Sequence, residues 1–504
     1  MHLIKSRNKL TAAVSIQTEP YEQYIGGEWT PGHSGKVRNV VDPATNKSFA
    51  SIHEATSEDI DHSVEVAKKA FEESEWRTNP RLRMKTLLKF GDLIREKSEY
   101  FATLESLETG HPLREMKVGV AGTIANFEYF AGLTDKAEGE YIPISGERFA
   151  YTIREPLGVI GQVVPWNAPL TLMARGVAPA LAFGNTVVIK PSVVAPLTNL
   201  ELGKLVKQAG FPDGVVNVVC GPGEVCGEAL ALNKDVDKIV FTGSVEAGKR
   251  VMELATRNLT PVLLELGGKA PFIVTEGVAM GEAVDGVMSA ALSGQGEICF
   301  SGTRFFIPSS IYDNFSKKLA DKTSKVKIGP GLKEGTEMGP LITKKHLERV
   351  AQYVDDARSD GARVVTGGSR PDSEELADGN FYLPTLLDNV TNDMQCCQEE
   401  IFGPVLSMLE YDDDDEVIRQ ANQSDFGLSA FVWTNDLRKA HKFAHTLQAG
   451  SISIFTYGYG PSIPRGGYKL SGLGRECGLH AIDEYTQIKN VNIGLSTFPT
   501  KYRG

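Results

Sequence analysis

The sequence predicts an α/β protein built of two doubly wound open-sheet units. Three observations carry this: apolar, β-branched runs alternate with amphipathic stretches from residue 159 onward; glycine is abundant, 51 of 504 residues; and the alternation breaks and restarts near Leu266-Gly267-Gly268.

Taken in order, buried parallel strands are expected over 159–164, 186–189, 215–219, 238–241, 262–266 and 272–274, where the apolar runs are short and rich in Val and Ile. Helices are expected between them, as at 200–208 and 247–257, each followed by Gly or Asn as a stop signal. A second series follows, with a helix over 279–292 and strands over 304–307, 364–366, 404–409, 430–434 and 451–455. The N-terminal region carries helical patterns over 60–71 and 83–96 that must pack on one of these sheets. In an open parallel sheet the ligand crevice lies at the carboxyl ends of the strands.

Composition narrows the function. The net charge of -11 and pI near 5.5 leave no electrostatic footprint for a nucleic acid. The acidic run from Asp412 to Glu416 reads as a solvated loop entering a helix, because carboxylates favour helix N-termini and the run lacks the alternating spacing of a calcium loop. Six cysteines in so long a chain do not make a disulfide framework. No C-x-x-C or H-E-x-x-H spacing occurs, so no metal is expected. No run of about 20 apolar residues is present, so no membrane span is expected. The first residues carry Lys5, Arg7 and Lys9 with no acid before Glu19, lack the apolar centre of a secretory signal and are short for a transit peptide; a cytoplasmic protein is expected.

Five segments hold candidate chemistry. Phe241-Thr242-Gly243-Ser244 ends a strand and opens a helix, whose free N–H groups and dipole suit a pyrophosphate; Gly243 permits a tight turn and the Ser244 hydroxyl adds a donor. The segment nearly spells a phosphate loop, but Arg250 stands where a Ser or Thr must hold magnesium. By itself it reads equally as a plain strand–helix turn. Lys190, at a strand end, can bind ribose hydroxyls or a phosphate, or simply face solvent. Cys299 sits in a glycine-bearing loop with Arg304 nearby as positive charge, although a lone cysteine is more often an inert core residue. Glu265 ends an apolar strand; burial would raise its pKa towards that of a general base, while an edge-strand glutamate facing water is the alternative. Asn167, on a proline-constrained loop, offers an amide to an oxyanion, or is one more turn asparagine. Together these groups fit one chemistry: a thiol nucleophile, an oxyanion donor, a carboxylate base and a dinucleotide site.

At this point the chain closely resembles the aldehyde dehydrogenase superfamily, from about Ile25 to about Lys489. The most specific motifs are Leu264-Glu265-Leu266-Gly267-Gly268-Lys269 and Gly296-Glu297-Ile298-Cys299. Pro165-Trp166-Asn167, Ile189-Lys190-Pro191-Ser192, Phe241-Thr242-Gly243-Ser244, Glu399-Glu400-Ile401-Phe402-Gly403-Pro404-Val405 and the segment from Gly466 to Glu476 also match. The resemblance implies a Rossmann-like cofactor domain (17–138 and 154–265), an α/β catalytic domain (266–478) and a small β oligomerisation extension (139–153 and 479–504) that builds a homodimer or homotetramer. It implies that Cys299 attacks an aldehyde, that Asn167 and the Cys299 backbone N–H hold the oxyanion, and that Glu265 activates the hydrolytic water. Lys190, Ser192, Val193, Gly243, Ser244, Trp166, Glu400 and Phe402 would line the NAD site.

Departures from the family pattern refine this. Val193 stands where members strict for NAD carry a glutamate, which removes repulsion of a 2′-phosphate; NAD with tolerance of NADP is expected. Glu297 replaces a commoner glutamine, Phe455 a common asparagine, and Gly176 a lysine used by many members in proton relay. Arg175 and Arg465 replace aromatic residues of the substrate tunnel, whose other expected contacts are Ala168, Ile298 and Phe300. They suggest a substrate with a polar or anionic group remote from the aldehyde, either a hydroxylated aromatic aldehyde or a semialdehyde bearing a carboxylate; alternatively they pair with carboxylates as tunnel structure. A non-catalytic relative keeping the fold is the rival class, opposed by the joint presence of Cys299, Glu265 and Asn167; a branch transferring the acyl group to coenzyme A is opposed by Glu265.

Overall fold

The structure, a computed structural model, describes residues 16–495; Lys5, Arg7, Lys9 and the last part of the expected extension lie outside the described residues. Two large sheets dominate it, one 8-stranded and one 7-stranded.

The first sheet has a parallel centre. Val159–Val163 lies in the middle, with Thr186–Lys190 and then Val216–Val218 added on one side, and Lys238–Thr242 and then Val262–Glu265 on the other. The winding therefore reverses between Val159–Val163 and Lys238–Thr242, the place where such sheets open a crevice for ligands. Strand alternation feeds two cores: Val187 and Ile189 enter one cluster while Val188 enters the other. The expected helices over 60–71 and 83–96 exist as Ser57–Glu73 and Pro80–Glu96. The apolar stripe of the first (Ile60, Val64, Ala67) joins one cluster, and that of the second (Leu87, Phe90, Ile94) joins the opposite one, so they cover the same sheet from different faces. Local chemistry starts both helices. Thr56 and Asp59 form a reciprocal capping box, and Asn79 caps a helix that opens on Pro80.

Both edges of this sheet are closed by distant chain. Gln23–Ile25 pairs antiparallel with Val216–Val218, and Gly472–Leu473 pairs antiparallel with Val262–Glu265, setting Gly472 opposite Glu265. Residues 266–269 then carry the chain from Glu265 into Ala270–Val274, a central strand of the second sheet between Gly302–Pro308 and Ser429–Trp433. That sheet is parallel except for its edge strand Arg363–Thr366. A third sheet joins Tyr141–Ile142, Arg148–Pro156 and Thr486–Gly494.

Three helices carried no readable periodicity: Ser98–Thr109, Leu113–Ala131 and Pro169–Ala182. In the last, every residue but Thr171 is buried, so no polar face marks it as a helix. The acidic run is a helix start, with Asp413 capping Asp414–Asn422. All six cysteines are free thiols, with Cys396 and Cys397 in a buried core. Among the described residues no helix is long and apolar enough to cross a membrane, and no group of His, Cys, Asp and Glu could hold a metal.

Candidate active site

Two cavities meet at Cys299 and Glu265. The larger, about 250 Å³, lies at the winding reversal of the first sheet and is walled by Trp166, Asn167, Gly243, Ser244, Glu400 and Phe402, with His346 and Arg349 from the helix Lys344–Ser359. The smaller is lined by Arg175, Arg465, Phe300 and Tyr459 on the far side of the same cysteine and glutamate. A reactant on one side and a second on the other would thus share one thiol and one carboxylate.

The larger cavity has the features a dinucleotide needs. Ser244 caps the helix Val245–Ala255, accepting from Ala247 N at 3.2 Å, which leaves its own O–H free to donate. Gly243 serves sterically rather than through a turn: a Cβ there would stand 2.6 Å from the Phe241 ring, and its φ is not positive. Glu400 is anchored by Gly268 N, 3.0 Å from its Oε1, and burial pushes its carboxyl up to about 7. Phe402, at φ 61, meets Trp166 edge-on with ring centroids 5.4 Å apart, and its carbonyl accepts from His346 Nε2 at 2.6 Å. Lys190, Ser192 and Val193 stand at the carboxyl end of Thr186–Lys190, outside both cavities. The buried Lys190 ammonium donates to Pro191 O at 3.0 Å and has no ion pair among the described residues.

Cys299 is half-buried on a loop reached through Gly294 and Gln295, both left-handed at φ 55 and 56. Burial pushes its thiol up to about 12, opposed by Arg175 and Arg465. The expectation that Arg304 supplies this charge is overturned. Its guanidinium is a structural strut, donating to Lys269 O, Asn392 Oδ1, Gln420 O and Ala421 O, because its side chain follows the strand Gly302–Pro308 away from the loop. Asn167 Nδ2 donates to Glu297 O at 2.8 Å, which places the amide against the nucleophile loop. Ala168 precedes the helix Pro169–Ala182 and Ile298 packs over Gly294; neither lines the smaller cavity.

Glu265 does not face water: Gly472–Leu473 covers what would have been a free edge, and its side chain is 3% exposed. Burial raises its pKa and Glu476 adds to that, while Arg175 opposes both. Arg175 was expected at the substrate. Its Nη2 instead lies 3.1 Å from Glu265 Oε2 and 2.5 Å from Glu476 Oε2, so the arm that would meet an anion is taken up by two carboxylates, although the residue still lines the smaller cavity. Arg465 differs. It has no ion pair among the described residues, its Nε lacks a hydrogen-bond partner, and it stacks 4.8 Å over the Tyr459 ring. Phe300 packs on Tyr457 and Tyr459 with centroids 5.6 and 5.5 Å away.

The other departures have local reasons. A Cβ on Gly176 would lie 2.0 Å from Gln162 Oε1, so the amide of Gln162 occupies the space that a lysine would use. Glu297 is wholly buried, accepts from Ile342 N, and lies 3.5 Å from both His111 Nε2 and His346 Nε2. Burial raises the carboxyl well above its usual range and lowers each imidazole to about 4, leaving a neutral cluster beneath the loop. Phe455 adopts φ 54, a region that asparagine tolerates better. Sequence reasoning gave Glu476, His346 and Arg349 no role; their only signal was that Glu476 closes the quoted segment beginning at Gly466.

Residues 29–491 match the aldehyde dehydrogenase family. A betaine aldehyde dehydrogenase of Bacillus subtilis is 41% identical over 93% of this chain and 96% of its own. Among solved structures, betaine aldehyde dehydrogenase from Staphylococcus aureus in complex with NAD+ superposes with a TM-score of 0.96 at 35% identity, covering 99% of both chains. An NAD+ complex of aldehyde dehydrogenase from Bacillus cereus gives 0.93 at 40% identity, covering 97% of this chain and 99% of that one. The chain belongs to the aldehyde dehydrogenase family.

Proposed function

We propose that this protein oxidises an aldehyde to the carboxylic acid with NAD, through a thiohemiacetal and then a thioester on Cys299. The observation that carries this reading is that Cys299 and Glu265 are shared by a cleft of about 250 Å³ that reaches the capped helix N-terminus at Ser244 and a separate arginine-lined recess. The cleft suits NAD through a capped helix N-terminus at Ser244 and the anchored Glu400 beside an aromatic wall, and the Lys190 ammonium, without an ion pair among the described residues, stands at a neighbouring strand end outside it. Bound there, NAD supplies the hydride acceptor. The Cys299 thiol gives its proton to solvent as its sulfur adds to the carbonyl carbon, and the second N–H of the Asn167 amide with the Cys299 backbone N–H holds the resulting oxyanion. Loss of hydride leaves the thioester. Glu265, its proton affinity raised by burial, takes a proton from water as that water attacks the acyl carbon, and the acid leaves as Cys299 is regenerated.

The substrate is a hydroxylated aromatic aldehyde. Phe300 and Tyr459 offer ring faces, and Arg465, whose Nη2 donates to Tyr459 O at 3.0 Å, offers a guanidinium without a carboxylate partner to a phenolic oxygen. A semialdehyde bearing a carboxylate is the second reading, favoured by the same guanidinium. Arginine beside the recess disfavours a cationic aldehyde such as the one in the relatives' names. The missing carboxylate at Val193 supports tolerance of NADP. The small third sheet exposes Tyr141, Phe149 and Ile488, one on each of its three strands, and leaves Thr486–Gly494 as an unpaired edge among the described residues, which supports a homodimer or homotetramer. The buried free thiols suit a reducing, cytoplasmic setting.

Steady-state kcat/KM over aliphatic, aromatic and carboxylated aldehydes with both coenzymes tests the reading. The hydroxylated aromatic aldehydes should lead, and Cys299→Ser should abolish NADH formation while leaving the fold intact. Activity that survives the serine substitution would end the proposal.

A further inference from the structure

Two buried charges beside Glu265 take no part in the steps just described. Arg175, 90 residues from Glu265 in the chain, reaches it from the helix Pro169–Ala182. Glu476 reaches the same guanidinium from the segment after Gly472–Leu473, aligned by the pairing of Arg465 with Glu476. None of the three side chains is more than 4% exposed. Glu265 Oε1, both Glu476 carboxylate oxygens and Arg175 Nε have no hydrogen-bond partner, so Glu476 meets the guanidinium as an ion pair and Glu265 alone also by a hydrogen bond. One guanidinium thus serves two carboxylates, and each carboxylate feels the other's charge.

We propose that Arg175 and Glu476 are positioning residues for Glu265: the guanidinium holds the base in place and favours its ionised form, while Glu476 favours its protonated form. The inference rests on Glu265 being the base of thioester hydrolysis. Electrostatics gives the two neighbours opposite signs, because an opposite charge lowers a carboxyl pKa and a like charge raises it. Arg465 and the thiols of Cys299 and Cys477 are the other titratable groups that act with Glu265 here; Arg465 adds to the pull of Arg175, and the two neutral thiols, both pushed up by burial, add little. No lysine can take over from Arg175 at the next position, where Gln162 fills the space above Gly176. Recognition of a substrate anion then falls to Arg465 among the arginines lining the recess.

The hydrolytic step can be read without coenzyme. The Cys299 thiol displaces p-nitrophenolate from p-nitrophenyl acetate, an acetyl thioester forms, and water releases acetate and restores the thiol. Intact-mass measurement at a series of pH values follows the loss of the acetyl group, and the midpoint of its rise with pH reports Glu265. Glu476→Gln should move that midpoint down, and Arg175→Met should move it up, each by roughly one pH unit. Arg175→Lys, which keeps the charge, should bring it back towards the wild-type value. Midpoints that stay put, or that move the same way in the Gln and Met variants, overturn the inference. So does an Arg175→Met effect confined to KM for carboxylated aldehydes. If the Met variant does not fold, the sign for Glu476→Gln decides alone. A wild-type protein that takes no acetyl group on Cys299 overturns the thioester reading, and this inference with it.

Discussion

Asn167 and Glu297 are joined by a hydrogen bond of 2.8 Å from the side-chain amide to the backbone carbonyl, across 130 residues of chain. The bond ties the loop after Val159–Val163 to the loop that carries Cys299. One N–H of the amide is spent on this tie and the other is left for the oxyanion. Asn167→Ala should therefore lower kcat by about 10²–10³-fold, the usual cost of one oxyanion donor. Thermal melting should fall only slightly, since a single neutral hydrogen bond contributes about 1 kcal/mol. A variant with unchanged kcat would remove Asn167 from the reaction.

We propose that Val193 sets the tolerance of NADP. Wild-type enzyme should prefer NAD over NADP by less than about a thousandfold, because no carboxylate repels the 2′-phosphate. Val193→Glu should restore that repulsion and lower kcat/KM with NADP by about tenfold or more, with a smaller effect on NAD. Paired coenzyme assays on one aldehyde check both statements.

Arg465 lacks the carboxylate partners that occupy Arg175. Arg465→Leu should raise KM for a phenolic or carboxylated aldehyde by about 10–150-fold, equivalent to about 1.5–3 kcal/mol for a shielded charge-assisted bond. KM for hexanal should change little. Equal effects on both substrates would show that the guanidinium only supports the recess.

Burial pushes the Cys299 thiol up to about 12, so the coenzyme-free protein holds it protonated at neutral pH. Only the thiolate reacts, and its fraction grows about tenfold per pH unit below the pKa. Alkylation of Cys299 by iodoacetamide should accordingly rise across the neutral and mildly alkaline range without a plateau. Arg175→Met should slow it further, because Arg175 opposes the rise in pKa. Peptide mapping over a pH series reads both; a plateau near neutrality would mean a thiolate at rest.

The central strands of both sheets were legible because each is a short apolar run ended by a turn residue, whereas Gln23–Ile25, Glu28–Thr30, Thr385–Asp388 and Gly472–Leu473 were too short to stand out. The nucleophile loop, the Glu265 strand and the Ser244 turn were legible as motifs, since each keeps its chemistry within a few consecutive residues. Pro169–Ala182 was not, because burial on all sides erases the polar face that would mark a helix. Arg304 was misplaced for a related reason: nearness to Cys299 in the chain says nothing of where a side chain points once a strand begins.

The sequence alone determined which reacting groups exist: Cys299, Glu265 and Asn167 are covalent facts. Only the tertiary structure decided which charges face them. Arg175 meets Glu265 and Glu476 because a buried helix, a sheet edge and a distant return strand converge at one point. Coulomb forces depend on distance through space and on exclusion of water, and a linear pattern encodes neither.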